Sequence, residues 1–123
     1  MNPLRVEQAE GATIVRFNCS SLLGAEIVVS QDLQRLVGAN QPPRIVVNLR
    51  GVTQMSSNML ATLVTLSKGV AEGRGCLVLC ELTPQVRELL NTTRLEDRFR
   101  ICAEEAEALA QFADTPDVGP AAS

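Results

Sequence analysis

Residues 44–71 read RIVVNLRGVTQMSSNMLATLVTLSKGVA, and the fold class turns on how this stretch divides. Arg44 to Leu49 is apolar and β-branched, with no polar alternation before Asn48. A strand of that kind is covered on both faces, as in a largely parallel sheet. Residues 50–55 form a loop. Ser56-Ser57 then opens a helix from Asn58 to Ala71, where Met59, Leu63, Leu66 and Val70 recur on one face. Leu60 and Val64 widen the stripe, so this helix is expected to pack deeply. A buried strand feeding a buried helix is half of a βαβ unit, which points to an α/β fold.

The flanks extend the pattern. Leu4 to Gln8 and Thr13 to Phe17 read as two strands joined by a turn at Glu10-Gly11. Residues 19–25 connect them to a helix over Glu26–Val37, with Val29, Leu33 and Leu36 at i, i+4 and i+7. Gly38, Asn40 and Pro42-Pro43 end it. After the central helix, Gly73 and Gly75 introduce a second apolar strand, Cys76 to Leu82. Thr83-Pro84 is a start signal for a helix to about Leu90, with Val86, Leu89 and Leu90 inward. A short strand at Arg98–Ile101 and a helix at Ala103–Phe112 follow. The expected order is ββαβαβαβα, a mixed and mostly parallel sheet flanked by four helices. Residues 1–113 are expected to form one domain, and 114–123 (DTPDVGPAAS) a flexible tail.

Composition narrows the function classes. Three Phe and no Tyr or Trp leave almost nothing to stack on nucleic-acid bases. A net charge of −3 lacks the cationic footprint of a DNA or RNA binder. No apolar run approaches the roughly 18 residues of a membrane span. No secretory leader precedes Cys19, Cys76, Cys80 and Cys102, so reduced thiols in the cytoplasm are expected. Cys76 and Cys80 fall on one predicted strand with no histidine in the chain, which argues against a metal site. No cofactor is expected either.

The lack of histidine also removes the usual general base and the partner of a Ser or Cys nucleophile. Lys68 is the sole lysine and lies about three helical turns from Ser57, out of reach within one helix. Gly73-Arg74-Gly75 lacks the spacing of a phosphate-binding loop. Glu104, Glu105 and Glu107 read as a solvated helix face. The informative site is Met55-Ser56-Ser57-Asn58, at the carboxyl end of a central strand, where α/β folds place function. One serine is expected to cap the helix while the other faces solvent.

Several stretches together resemble the STAS domain, the fold of anti-sigma factor antagonists. They are IVVNLRGVTQMSSNMLATLVTL, GRGCLVLCELTPQVRELLNTTRLEDRFRI and EEAEAL, and the resemblance spans roughly residues 4–112. In that family the loop reads Asp-Ser-x-Gly, and a partner kinase that is also the anti-sigma factor phosphorylates the serine. Here Ser56 stands for the Asp and Met59 for the Gly. The resemblance implies a bacterial phosphoprotein in signal transduction and transcription regulation. It would bind an anti-sigma factor/serine kinase of the GHKL type and act as a monomer or weak dimer, with a phosphatase as a further partner. Ser57 is the expected phosphorylation site, with Ser56 second. Gln54, Met55, Ser56, Ser57, Asn58 and Met59 are the expected partner contacts; Met59 alternatively continues the core stripe.

Three other readings fit the same residues. The domain could be a scaffold module that is never phosphorylated, a conclusion the replaced Asp and Gly favour. It could bind a nucleotide or lipid head group at the Ser56–Asn58 helix start. A serine hydrolase is the remaining class, against which the missing histidine argues.

Overall fold

The computed structural model describes residues 4–9, 11–39 and 44–113. The turn residue Glu10, the Pro42-Pro43 helix stop and the expected 114–123 tail lie outside the described residues. Five strands form one sheet in the order β1-β2-β3-β4-β5. They are β1 (Leu4–Ala9), β2 (Ala12–Phe17), β3 (Arg44–Asn48), β4 (Cys76–Cys80) and β5 (Arg100–Cys102). The β1–β2 pair is antiparallel and every other pair is parallel. The helices are α1 (Glu26–Ala39), α2 (Ser57–Glu72), α3 (Pro84–Thr93) and α4 (Glu105–Ala113).

Alternation along the strands sorts the side chains onto two faces. Val15, Ile45, Val47, Leu77 and Leu79 point to the face covered by α1, α2 and α3. Ile14, Val46, Val78, Cys80 and Cys102 point to the other, where α4 packs through Ala108. β3 and β4 thus contribute to two cores at once, which is why both read as continuous apolar runs. Within α2, Met59, Leu60, Leu63, Leu66 and Val70 are all buried.

The expected element order holds, and the differences lie at ends. β4 stops at Cys80 because Glu81 takes a left-handed backbone conformation, φ 54°. The final strand begins two residues late. A 3-10 turn over Glu96–Arg98, closed by the Arg98 N–H donating to the Leu95 carbonyl, comes first. It delivers Phe99 into the α1–α3 core. Arg74, rather than a neighbouring glycine, adopts positive φ after α2.

Candidate functional site

The loop between β3 and α2 is held from within and from both sides. Leu49 and Val52 are fully buried and anchor it in the core. On one side, the Thr53 and Gln54 amides donate to the Ser20 carbonyl at 2.8 and 3.1 Å, and the Leu22 amide donates to the Gln54 carbonyl at 2.9 Å. On the other, the Thr83 hydroxyl donates to the Val52 carbonyl at 2.6 Å. Thr83 Oγ1 also accepts the Val86 amide and so caps α3. One side chain therefore ties the α3 start to the candidate loop. A rigidly mounted loop at the carboxyl ends of parallel strands is a favoured position for binding residues.

The two serines are distinct. Ser56 is half-buried and is the N-cap of α2; its Oγ accepts the Met59 amide at 3.1 Å. Its hydroxyl donates to Glu26 Oε2 at 2.8 Å. Ser57 is the first helical residue, is exposed, and makes no side-chain hydrogen bond within the described residues. Gln54 and Asn58 are also exposed. Met55 and Met59 are not: they are 8% and 0% exposed and belong to the core. Their expected role as surface contacts is corrected by their position. Met59 lies on the inward stripe of α2, and Met55 is drawn inward as the loop closes over the core.

Beside the loop lies a shallow groove of about 250 Å3, lined by Leu23, Thr53, Gln54, Met55, Gln85, Val86 and Leu89. Leu23, Ile27 and Val28 are exposed at the start of α1. Glu26 belongs to the same turn, and the hydrogen bond from Ser56 holds its carboxyl below the usual carboxylate range. Glu26 was not readable as a site residue. In sequence it is simply an acidic residue in the first turn of its own helix, a favourable position in any fold.

The opposite face corrects a second expectation. Glu105 is not solvated: its carboxylate receives Arg16 Nε at 3.1 Å, Arg16 Nη2 at 2.6 Å and Asn48 Nδ2 at 2.8 Å. These hydrogen bonds, Arg16 foremost, hold Glu105 below the usual carboxylate range. Arg16 pairs with Glu7 as well. The Glu105 amide donates to Glu81 Oε2 at 3.0 Å, which satisfies an N-terminal N–H of α4. Glu104 and Glu107 are exposed as expected. All buried side-chain polar atoms among the described residues have partners, so this network reads as a fastening for α4.

The four cysteines are free thiols. Burial pushes Cys80 up to about 12 and raises Cys76 and Cys102, so none of these three is an activated nucleophile. Among the described residues, no group of His, Cys, Asp or Glu could hold a metal ion, and no helix is long and apolar enough to cross a membrane.

Solved structures share this architecture. An anti-sigma-factor antagonist (STAS) domain protein from Planctomyces limnophilus matches with a TM-score of 0.77 and 25% identity, covering 89% of this chain and 97% of its own. The Bacillus cell fate determinant SpoIIAA in its phosphorylated form matches at 0.65 and 17% identity, covering 89% and 98%. The fold recurs inside a much larger protein, the murine Slc26a9 anion transporter, at 0.69 and 16% identity. There it covers 91% of this chain but 19% of the transporter. No curated protein sequence matches the chain. The family model for the STAS domain matches residues 3–108, nearly all of the described fold. The chain therefore belongs to the STAS domain family.

Proposed function

We propose that this chain is a non-catalytic regulatory switch of the anti-sigma factor antagonist kind, with residues 1–113 as its working domain. It acts in the cytoplasm by docking onto an anti-sigma factor/serine kinase of the GHKL type. Phosphorylation of Ser57 releases the partner, and a phosphatase restores binding. The observation that carries this reading is the division of labour between the two serines. Ser56 is engaged as a cap, whereas Ser57 presents an unengaged hydroxyl on the first turn of α2, next to the firmly mounted loop. A phosphate there sits at the positive end of α2, so the fold tolerates it. Its effect then falls on a partner's surface through charge and bulk. Gln54, Ser57 and Asn58 supply the exposed contacts around the acceptor, with Ser56 supporting them from behind.

Mass spectrometry of the protein from its native host tests this directly. Cleavage after Arg50 and Lys68 yields one peptide, Gly51 to Lys68, containing both serines. Phosphate on Ser57 is the expected result. In partner-binding assays Ser57→Glu should weaken binding by about 10²-fold. An unmodified peptide under growth and stress conditions alike, with Ser57→Glu binding as tightly as wild type, would replace the switch with a permanent scaffold.

A further inference from the structure

The carboxylate that meets the Ser56 hydroxyl comes from another helix, thirty residues earlier in the chain. Glu26 is the first residue of α1, and its charge is held by the Ser56 hydroxyl and by the backbone N–H groups of Gly24 and Glu26 itself. One carboxylate therefore sits between the N-termini of α1 and α2. By accepting the single proton of Ser56, it fixes that hydroxyl so that the oxygen lone pair faces the Met59 amide. Ser56 is thereby occupied as donor and acceptor, while Ser57, one residue on, is left exposed.

We propose that Glu26 is the positioning residue of the serine pair and the sensor of its charge. It commits Ser56 to capping, leaves Ser57 as the free hydroxyl, and is repelled when Ser57 becomes negative, which loosens the start of α1. The second half rests on the phosphorylation reading for its biological occasion, though the coupling itself belongs to the fold. The Glu26 carboxylate at the start of α1 lies 2.8 Å from the hydroxyl of the residue that precedes Ser57 at the start of α2, so a negative charge on Ser57 repels it through partly solvated surroundings, and salt weakens the effect. The first turn of α1 is the element able to yield. Its outward residues Ile27 and Val28 are 72% and 46% exposed, and Val29 is the first of the turn to be fully buried. A charge on Ser57 thus reaches the apolar surface around Leu23, Ile27 and Val28, which Ser57 itself need not touch.

The test uses the purified full chain without any kinase, so its failure leaves the phosphorylation reading standing. Four forms are compared: wild type, Ser57→Glu, Glu26→Gln and the double variant, with Ser57→Gln as the neutral control for bulk. Gln at position 26 keeps an acceptor oxygen for Ser56, and Ser57 is exposed, so each form retains the fold's contacts. Amide exchange over Glu26–Ser30 should be about threefold or more faster in Ser57→Glu than in Ser57→Gln. That acceleration should vanish in the Glu26→Gln background and shrink in 1 M salt on the order of the screening expected there. A urea-unfolding cycle on the same four proteins reads the same coupling by an independent route. Equal exchange in Ser57→Glu and Ser57→Gln, or an acceleration that persists without the Glu26 charge, would overturn the proposal.

Discussion

Three helices cover one face of the sheet through an apolar core running from Leu4 to Phe99, whereas α4 covers the other face and is fastened by Arg16, Asn48 and Glu105. The first face is closed by area: large aliphatic side chains on strands and helices interlock, with non-directional attraction summed over many contacts. The second has a smaller apolar patch, built from Ala12, Ile14, Val46, Val78 and the cysteines, and a polar clamp at its margin. The candidate switch belongs to the first face. Its loop is mounted on the side with the larger apolar core, with Leu49, Val52, Met55 and Met59 beneath it. A binding loop with such footing holds its geometry while its exposed residues remain free to meet a partner.

The sharpest test of this difference is to weaken each face separately. Leu60→Ala, at a fully buried position of α2, should cost about 2–5 kcal/mol in urea unfolding, because it leaves a cavity in the larger core. A loss below about 1 kcal/mol would show that the three-helix face relaxes far more easily than its packing implies. Glu105→Ala strikes the clamp and should cost about 1–3 kcal/mol, since Arg16 and Asn48 lose a shared acceptor.

The same clamp has a pH signature. Glu105 titrates in the folded protein below its ordinary value of 4.5. Its contribution is therefore present above that value and lost as the pH falls through the depressed folded value. Stability should drop in this acid range, and Glu105→Gln should flatten the drop. An unchanged acid limb in Glu105→Gln would assign it to other carboxylates.

The smallest effects separate the two serines. Ser56→Ala removes the α2 cap and the link to Glu26, for a loss of about 1 kcal/mol. Ser57→Ala should stay within about 0.5 kcal/mol of wild type, as an exposed change with no lost hydrogen bond. Equal losses at both positions would contradict the division of labour on which the functional reading depends.

Much of the three-helix face is legible from spacing. The i, i+3 and i+4 recurrence in α2 named its buried residues, and the unbroken apolar runs of β3 and β4 announced strands covered twice. Thr83-Pro84 marks the start of α3 in the sequence as in the structure, because capping is a local chemistry. The candidate site was legible only in part. Ser56-Ser57 stood out as a helix start, but local chemistry alone left open which serine would cap. Met55 is expected among the partner contacts, and the fold buries it. Glu105 has the periodicity of any outward acidic face, and only β2 and β3 reveal what it meets.

What the amino-acid order determined by itself is everything that depends on near neighbours: helical and strand periods, caps, breaks, and the α/β class that follows. Tertiary structure decided which polar groups find each other across the chain. Ser56 with Glu26, Thr83 with the Val52 carbonyl, and Arg16 with Glu105 are separated by 30, 31 and 89 residues. The physical reason is that apolar burial asks only for a face, and a face is written in the local repeat. A hydrogen bond asks for one partner at one distance and angle, and that partner is known only once the sheet has brought distant segments together.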